Sequence, residues 1–541
     1  PAEIAIAEGH IAGIGDYPRG FTEIDLKGRF VAPTYIDAHI HLESTLLTPA
    51  EFARVVLPHG TTATVSDPHE IANVLGVAGI NLMLELTEAL PFDFYFTLSS
   101  CVPATHMETA GASLSASDIA PLFSHPRVVG LAEMMNFPGV IFRDASVMEK
   151  LELAHGYNKI IDGHSPLLTG KALNAYIASG IRSDHECTKL DEAKEKLSKG
   201  MWVFLREGTT EKNLLELLPL VNDFTMSRLC IVSDDKHPTD LIEDGHINSS
   251  VYLAVKNGLS PFTAIRMASL NPATYFRLDF RGAVAPGYIA DIQILDNLER
   301  GLLKPVAVFK SGKLMAEEGR LTLDFPSPPV PDWALRTVKV GRKIEPDELT
   351  IPRTSNRIRV IRIIPGQIVT DYEEVDLPAG TSVVSLPEAD LLKLVVLERH
   401  TGKGLFSIGF VKGLGLKRGA IGSSVAHDSH NLICAGVSDE DIAFALNELV
   451  RLNGGLVAVN EGKLCGAVPL PLAGLMSVES ATEVAKKLHV LLESVRGALG
   501  SNLDNPFMAL SFLALPVIPK LKLTDKGLVD VDKFNFVSLF V

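Results

Sequence analysis

Eight short apolar runs, each closing on a polar or Gly/Pro-containing loop, alternate with helix-like segments through the first half of this chain. They are Tyr35-Ile36, Thr61–Val65, Phe92–Leu98, Val128–Leu131, Lys159–Ile161, Gly180-Ile181, Met201–Leu205 and Leu229–Val232. Short apolar runs that alternate with helices belong in a parallel sheet with both faces covered. Eight such units in roughly 250 residues is the size at which that sheet closes into a (β/α)8 barrel. The barrel is expected over 33–280.

The flanks have a different texture. Ile4 and Ile6, a Glu8-Gly9 turn, then Ile11 and Ile14 read as a β-hairpin. Similar β-rich sequence returns at Tyr288–Leu295 and Val306–Phe309, followed by a Ser311-Gly312-Lys313 turn. One small β domain built from 1–32 and 281–325 is the economical reading. Prolines at 326, 328, 329, 331, 346 and 352 mark 326–354 as a linker or extended crossing segment. The rest, 355–541, reads as a separate α/β domain. Its helices open at Ser438 and Ser480, and the first ends at Asn453-Gly454-Gly455. The fold class is therefore α/β: a (β/α)8 barrel, a small β domain from both flanks, and a C-terminal α/β domain.

Composition narrows the partners. A formal net charge of -15 argues against a nucleic-acid backbone or an anionic membrane. Phe507–Ile518, the most apolar stretch near the end, falls short of the roughly 20 residues a span needs and carries Pro516. Five scattered cysteines without a Cys-x-x-Cys fit unpaired thiols in a reducing cytoplasm. No signal-peptide pattern is visible, and the start at Pro1, inside a strand-like run, leads us to expect a preceding segment.

Ligand-type residues collect where the runs end. The first leads into Asp37-Ala-His39-Ile-His41; alternate residues of a strand share a face, so His39 and His41 can meet one metal ion. Alone, a His-x-His is weak. The fourth run, however, finishes at Glu133, the fifth at Asp162-Gly-His164, the sixth at Ser183-Asp-His185-Glu186 and the eighth at Ser233-Asp234-Asp235-Lys236-His237. Barrel enzymes place their chemistry at these C-terminal strand ends. Four histidines and two carboxylates there can hold two divalent ions with a carboxylate between them.

This arrangement resembles the amidohydrolase superfamily: His-x-His after strand one, a bridging group after strand four, histidines after strands five and six, and Asp after strand eight. Many members bridge with a carboxylated Lys; Glu133 takes that place here. Ile36–Ser44, Asp67-Pro-His-Glu-Ile-Ala-Asn-Val74, Asp162–Pro166 and Ser233–Pro238 resemble the adenine deaminases in particular. Gly419–Asn431 resembles that family's extra domain. Pro33-Thr34 departs from the usual Pro-Gly, at a position read as structural.

The resemblance implies two divalent ions, manganese or iron with zinc as the alternative, held by His39, His41, Glu133, His164, His185 and Asp234. It implies hydrolysis of adenine to hypoxanthine and ammonia, a purine-salvage reaction, with water activated between the ions attacking C6. Asp234 then accepts the water's proton and helps deliver it to the departing amine. Glu133 bridges the ions, protonates N1, or does both; spacing does not separate these roles. Asp235 competes with Asp234 as the ligand. Weaker candidates for substrate contact are His69, Glu186, Glu207, His427, His430 and Asp235, each with a structural reading beside it. Asp162 and Asp184 read as loop-orienting, and Arg399, Lys412, Lys417 and Arg418 as a solvated basic patch.

A cytidine-deaminase type of zinc site requires His-x-Glu with Pro-Cys-x-x-Cys. His106-Met-Glu108 supplies the first half only, so this site is rejected. The remaining alternatives are an amidohydrolase opening a cyclic amide or removing an acyl group, as dihydropyrimidinases and deacetylases do, and a non-catalytic scaffold on the same fold. A homodimer is the expected assembly for a large cytoplasmic enzyme.

Overall fold

The computed structural model describes residues 2–17 and 19–541. Eight parallel strands form the barrel: β1 (Tyr35–Ile40), β2 (Thr61–Ser66), β3 (Asp93–Leu98), β4 (Val128–Met134), β5 (Ile160–Gly163), β6 (Ser183–Asp184), β7 (Trp202–Arg206) and β8 (Leu229–Val232). Continuous ladders join β1 through β5 and β6 through β8. Ala63, Val65, Ile160, Phe204, Cys230 and Val232 pack into one buried cluster with Ile36 and Ala38 of β1. Burying a large apolar side chain of this kind stabilises by about 1.5–3 kcal/mol.

The two seams are thin. Between β8 and β1 the backbone makes a single bridge, Ile40 to Asp234, in which Asp234 N donates to His39 O at 3.0 Å. At the other seam Arg182 N donates to Ile161 O at 3.0 Å, and Gly163 N to Ser183 Oγ at 3.2 Å. Strands β5 and β6 approach so closely that a Cβ on Gly163 would lie 2.1 Å from Ser183 O.

The sixth strand differs from the sequence expectation. Gly180-Ile181 is not the strand; Gly180 sits at φ +92° and closes the helix Gly170–Ala178, with its N–H on Ile177 O. A glycine in this left-handed region is a helix terminator, so the strand starts later, at Ser183. Elsewhere the strands outrun their apolar runs. β1 and β4 stay extended through His39 and Glu133, as the strand-end reading of those residues expects.

The β-rich flanks meet in a five-stranded antiparallel sheet. Phe30–Pro33 pairs with Ile292–Leu295, which continues to Ala307–Lys310, Lys313–Glu317 and Arg320–Leu321. The hairpin Glu3–Ala7/His10–Gly15 is a separate ribbon, docked where Ile11 N donates to Tyr288 O at 2.8 Å. Tyr288–Ala290 makes no strand of its own; only Ile292–Leu295 does.

The C-terminal region is built on an eight-stranded sheet, with the helix Asp439–Arg451 packed on it and capped by Ser438, which accepts from Asp441 N at 3.2 Å. The helix Ala481–Ser494 is capped in the same way by Ser480. The proline-rich stretch is not a free linker. Ile344 and Leu349 are buried in the core of helix Asp439–Arg451, and Asn447 brackets Ile344 with two hydrogen bonds of 3.0 and 2.8 Å. Its second half therefore belongs to the C-terminal region. That region packs over the mouth of the barrel. Ser477 N donates to Leu46 O, Ala481 N to Glu51 Oε2 and Thr109 N to Asp525 Oδ1, at 2.8–2.9 Å. Among the described residues no helix is long and apolar enough to cross a membrane.

Gly163→Ala is expected to destabilise the fold by about 1–3 kcal/mol, as overpacking typically does. Urea melts would read the loss, and unchanged stability would refute the close approach of β5 and β6.

Candidate metal centre and active site

Period-two geometry places His39 and His41 on one face of β1, at the end that opens toward the C-terminal region. Asp37 braces them from behind. Its Oδ1 accepts from His39 N and Ser233 N, both at 3.2 Å, and its Oδ2 from Ser233 Oγ at 2.5 Å, with His246 Nε2 at 2.9 Å. His41 Nδ1 lies 3.1 Å from the carbonyl oxygen of Asp67. A carbonyl can only accept, so Nδ1 carries a proton, and Nε2 is the nitrogen left to meet a carboxylate or, once deprotonated, a metal.

Nε2 faces two carboxylates: Asp234 Oδ1 at 3.2 Å and Glu133 Oε1 at 3.6 Å. Glu133 lies among four imidazoles. Its Oε2 is 2.9 Å from His164 Nδ1 and 3.0 Å from His185 Nε2, and its Oε1 is also 3.6 Å from His69 Nδ1. Asp234 Oδ1 lies 3.5 Å from His39 Nε2, while Oδ2 accepts from Arg206 Nη1 at 2.7 Å. Asp234 holds φ +59°, a left-handed conformation that aspartate tolerates better than most residues and that clusters at functional sites.

Every one of these side chains is buried. Burial alone would push Glu133 and Asp234 toward neutrality. His164 and His185 instead hold Glu133 well below the usual carboxylate range, and His39, His41 and Arg206 do the same for Asp234. Burial likewise opposes charge on His185, but Glu133 above all raises it to about 9. The cluster as folded draws positive charge inward. His39 Nε2 and His164 Nε2 are buried without a hydrogen-bond partner. Three sets of donor atoms, His39/His41/Asp234, His39/Glu133/His185 and His41/Asp67/His69/Glu133, each fall within 4.8 Å of one another. Imidazole nitrogens and carboxylate oxygens so gathered fit a divalent transition metal.

Residues 30–315 match the model of the amidohydrolase family, and residues 367–535 that of the adenine deaminase C-terminal domain. An adenine deaminase 2 of Carboxydothermus hydrogenoformans is 51% identical over 538 residues, covering 99% of this chain and 93% of the relative. An adenine deaminase of Desulfatibacillum aliphaticivorans is 47% identical, covering 99% of this chain and 94% of the relative. The chain belongs to the adenine deaminase family. Membership implies a divalent metal cofactor. Among solved structures, the N-acetyl-D-glucosamine-6-phosphate deacetylase of Mycobacterium smegmatis covers 58% of this chain and 95% of its own, at 18% identity and a TM-score of 0.45.

The weaker candidates fall in different places. His69 enters the cluster, with Asp67 Oδ2 3.1 Å from its Nδ1. Glu186 is held bidentately by Arg206, at 2.5 and 3.1 Å, and lies 3.4 Å from His185 Nε2. Asp235 is buried with Oδ1 unpartnered. Glu207 is only half-buried and is influenced by Lys212 and Lys236 rather than by the imidazoles. His427 stacks on Phe512 with ring centroids 4.4 Å apart and brings Nδ1 to 3.4 Å from Glu70 Oε1. His430 Nδ1 accepts from Ala426 N at 3.2 Å, leaving Nε2 unpartnered. Asp162 accepts from Ser183 Oγ and Tyr275 OH, and Asp184 from Ser165 N and Lys196 Nζ, which are orienting contacts.

Of the residues read as a solvated basic patch, Lys417 and Arg418 are exposed and Lys412 is half-buried, but Arg399 is not part of it. Arg399 is fully buried, two residues after the buried strand Leu392–Leu397, and donates from Nη2 to Ala473 O at 3.1 Å. Four residues of the site were not singled out from sequence: Asp67, Glu70, Arg206 and Asp428. Asp67 and Glu70 flank His69 in its own motif, and Asp428 sits between His427 and His430. Arg206 directly follows the seventh apolar run, where strand-end position is the signal that finds it.

Arg206→Met strands Glu186 and Asp234 as buried, unpaired carboxylates. Denaturant melts should show a loss of about 3–5 kcal/mol; stability within error of the parent would refute the pairing.

Proposed function

We propose that this chain hydrolyses adenine to hypoxanthine and ammonia, with His39, His41, His164, His185, Glu133 and Asp234 holding two divalent cations. Manganese or iron is the preferred metal, with zinc as the alternative. The observation that carries the reading is the enclosed set of five imidazoles on Glu133 and Asp234, in a chain whose relatives are named adenine deaminases.

Bound divalent cations lower the pKa of water toward neutrality and so supply a nucleophile at ordinary pH. The protein's own groups handle the protons. Water adds to C6 of the purine, one proton goes to N1, the C6–amino bond breaks, and ammonia leaves with a further proton. Arg206 occupies Asp234 Oδ2, so Oδ1, which faces His39 and His41, is the oxygen that would take the proton from water and return it to the leaving amine. Glu133 would hold both cations, protonate N1, or do both in turn; its contacts with His164 and His185 support the first role. Among the weaker candidates, the contacts of His69, His427 and Asp235 support a place near the substrate better than those of Glu207. The unpaired cysteines support a reducing cytoplasm as the working compartment, and a homodimer is the proposed assembly.

Ammonia release from adenine is the test, using protein purified with manganese or ferrous iron, and adenosine, cytosine and dihydrouracil as comparisons. Turnover should be confined to adenine, disappear on chelation, and fall by about 10²- to 10⁴-fold in Asp234→Asn, the range of a lost acid–base group. His39→Ala should lower bound metal as well as rate. Protein that binds metal and leaves adenine intact while opening dihydrouracil would sink the adenine reading in favour of a cyclic amide.

A further inference from the structure

Asp428 is the carboxylate that the C-terminal region inserts into the barrel mouth, on the loop 424–431. It is 2% exposed, yet neither oxygen is properly bonded. Oδ2 has no partner, and Oδ1 lies 3.6 Å from His69 Nε2 and 3.8 Å from His427 Nδ1, beyond good hydrogen-bond range. A desolvated carboxylate left short of donors is costly, and such groups persist where a ligand completes them.

The substrate offers few donors. Neutral adenine has N–H bonds at only two places, the 6-amino group and one ring nitrogen of its five-membered ring. The amino group leaves in the reaction, so it belongs at the Asp234–Glu133 end. The ring N–H then points to the opposite end of the base. One imidazole, His69, separates Asp428 from Glu133: Nδ1 is 3.6 Å from Glu133 Oε1, and Nε2 is 3.6 Å from Asp428 Oδ1. His69 thus links the reacting end to Asp428, so a base whose C6 lies by Glu133 can direct its five-membered ring toward Asp428.

Other buried acids fit less well. Asp235 adjoins Asp234 at the reacting end, and Glu70 already accepts from Ser44 Oγ at 2.8 Å. Glu211 is also buried with both oxygens unpartnered, but its charged neighbours are Arg206, Asp235 and Asp234, at the reacting end. The loop carrying Asp428 is fixed on both sides, by His427 stacked on Phe512 and by the Ala426–His430 hydrogen bond.

We propose that Asp428 anchors the five-membered ring by accepting its N–H, and thereby selects the free base over purines substituted at N9. The inference rests on the adenine reading above. A carboxylate accepting from N–H makes a charge-assisted bond, stronger than a neutral one. A substituent at N9 removes the donor and presses carbon against a desolvated carboxylate, and a site built for a hydrogen bond rejects the analogue lacking it.

The test compares kcat and KM for adenine and 9-methyladenine in the metal-loaded wild type, Asp428→Asn and Asp428→Ala. Inhibition constants replace KM where turnover is too slow, and metal content and Tm are followed alongside. In Asp428→Ala the KM for adenine should rise on the order of 10- to 100-fold, the worth of a hydrogen bond to a charged group. Constants for 9-methyladenine should hold or improve, so the preference for the free base contracts. Asp428→Asn, which keeps an acceptor oxygen, should fall between. Equal losses on both purines, or loss of bound metal, would overturn the anchor and make Asp428 a structural or ligand residue. A wild type active on adenine, with the preference unchanged in both variants, overturns the anchor alone. A wild type inert toward adenine overturns the activity reading and the anchor with it.

Discussion

Glu133 and Asp234 are carboxylates withdrawn from water, and the penalty for desolvating charge sets the terms for the structure around them. His41, His164 and His185 face Glu133, His39 and His41 face Asp234, and Arg206 ties Asp234 to Glu186. Each of those side chains must itself be aimed, and the aiming groups come from the barrel frame. Asp37 braces His39 through the backbone and the Asp67 carbonyl turns His41. Ser165 and Lys196 engage Asp184, the residue before His185. The parallel strands make this affordable because they deliver all of these ends to one opening.

The C-terminal region enters the same electrostatic arrangement. His69 is shared among Asp67, Glu133 and Asp428, so a residue of the last domain bears on a histidine of the second barrel loop. His427 and Glu70 make a second crossing. The mouth of the barrel is thus finished by sequence that lies some 200 residues beyond its last strand. In this chain the last domain is part of the site's wall.

The barrel and its metal-type residues were legible because strand ends repeat: His39, His41, Glu133, His164, His185 and Asp234 each follow an apolar run. What sequence hid is equally physical. Gly180 looked like the start of a strand because the apolar Ile181 follows it, whereas its backbone freedom ends a helix. Arg399 looked exposed because arginine usually is, and only the burial of the strand before it shows otherwise. Arg206 and Asp428 act through partners far away in the chain, Glu186, Asp234 and His69, and no local spacing encodes such pairings. The proline-rich stretch read as a linker or an extended crossing segment; Ile344 and Leu349, two apolar side chains among the prolines, commit its second half to a core.

The seam between β8 and β1 has a consequence for how such a barrel can change. One backbone bridge, Ile40 to Asp234, closes it, and the other fastenings there are Asp37 to Ser233 and the approach of His39 and His41 to Asp234. The residues that would hold metal are therefore also the stitches of the cylinder. Selection cannot explore alternatives at these positions without loosening the frame, so new substrates are more readily reached through the covering loops. Diversity in such a lineage should accumulate in the roof, over an unchanging floor.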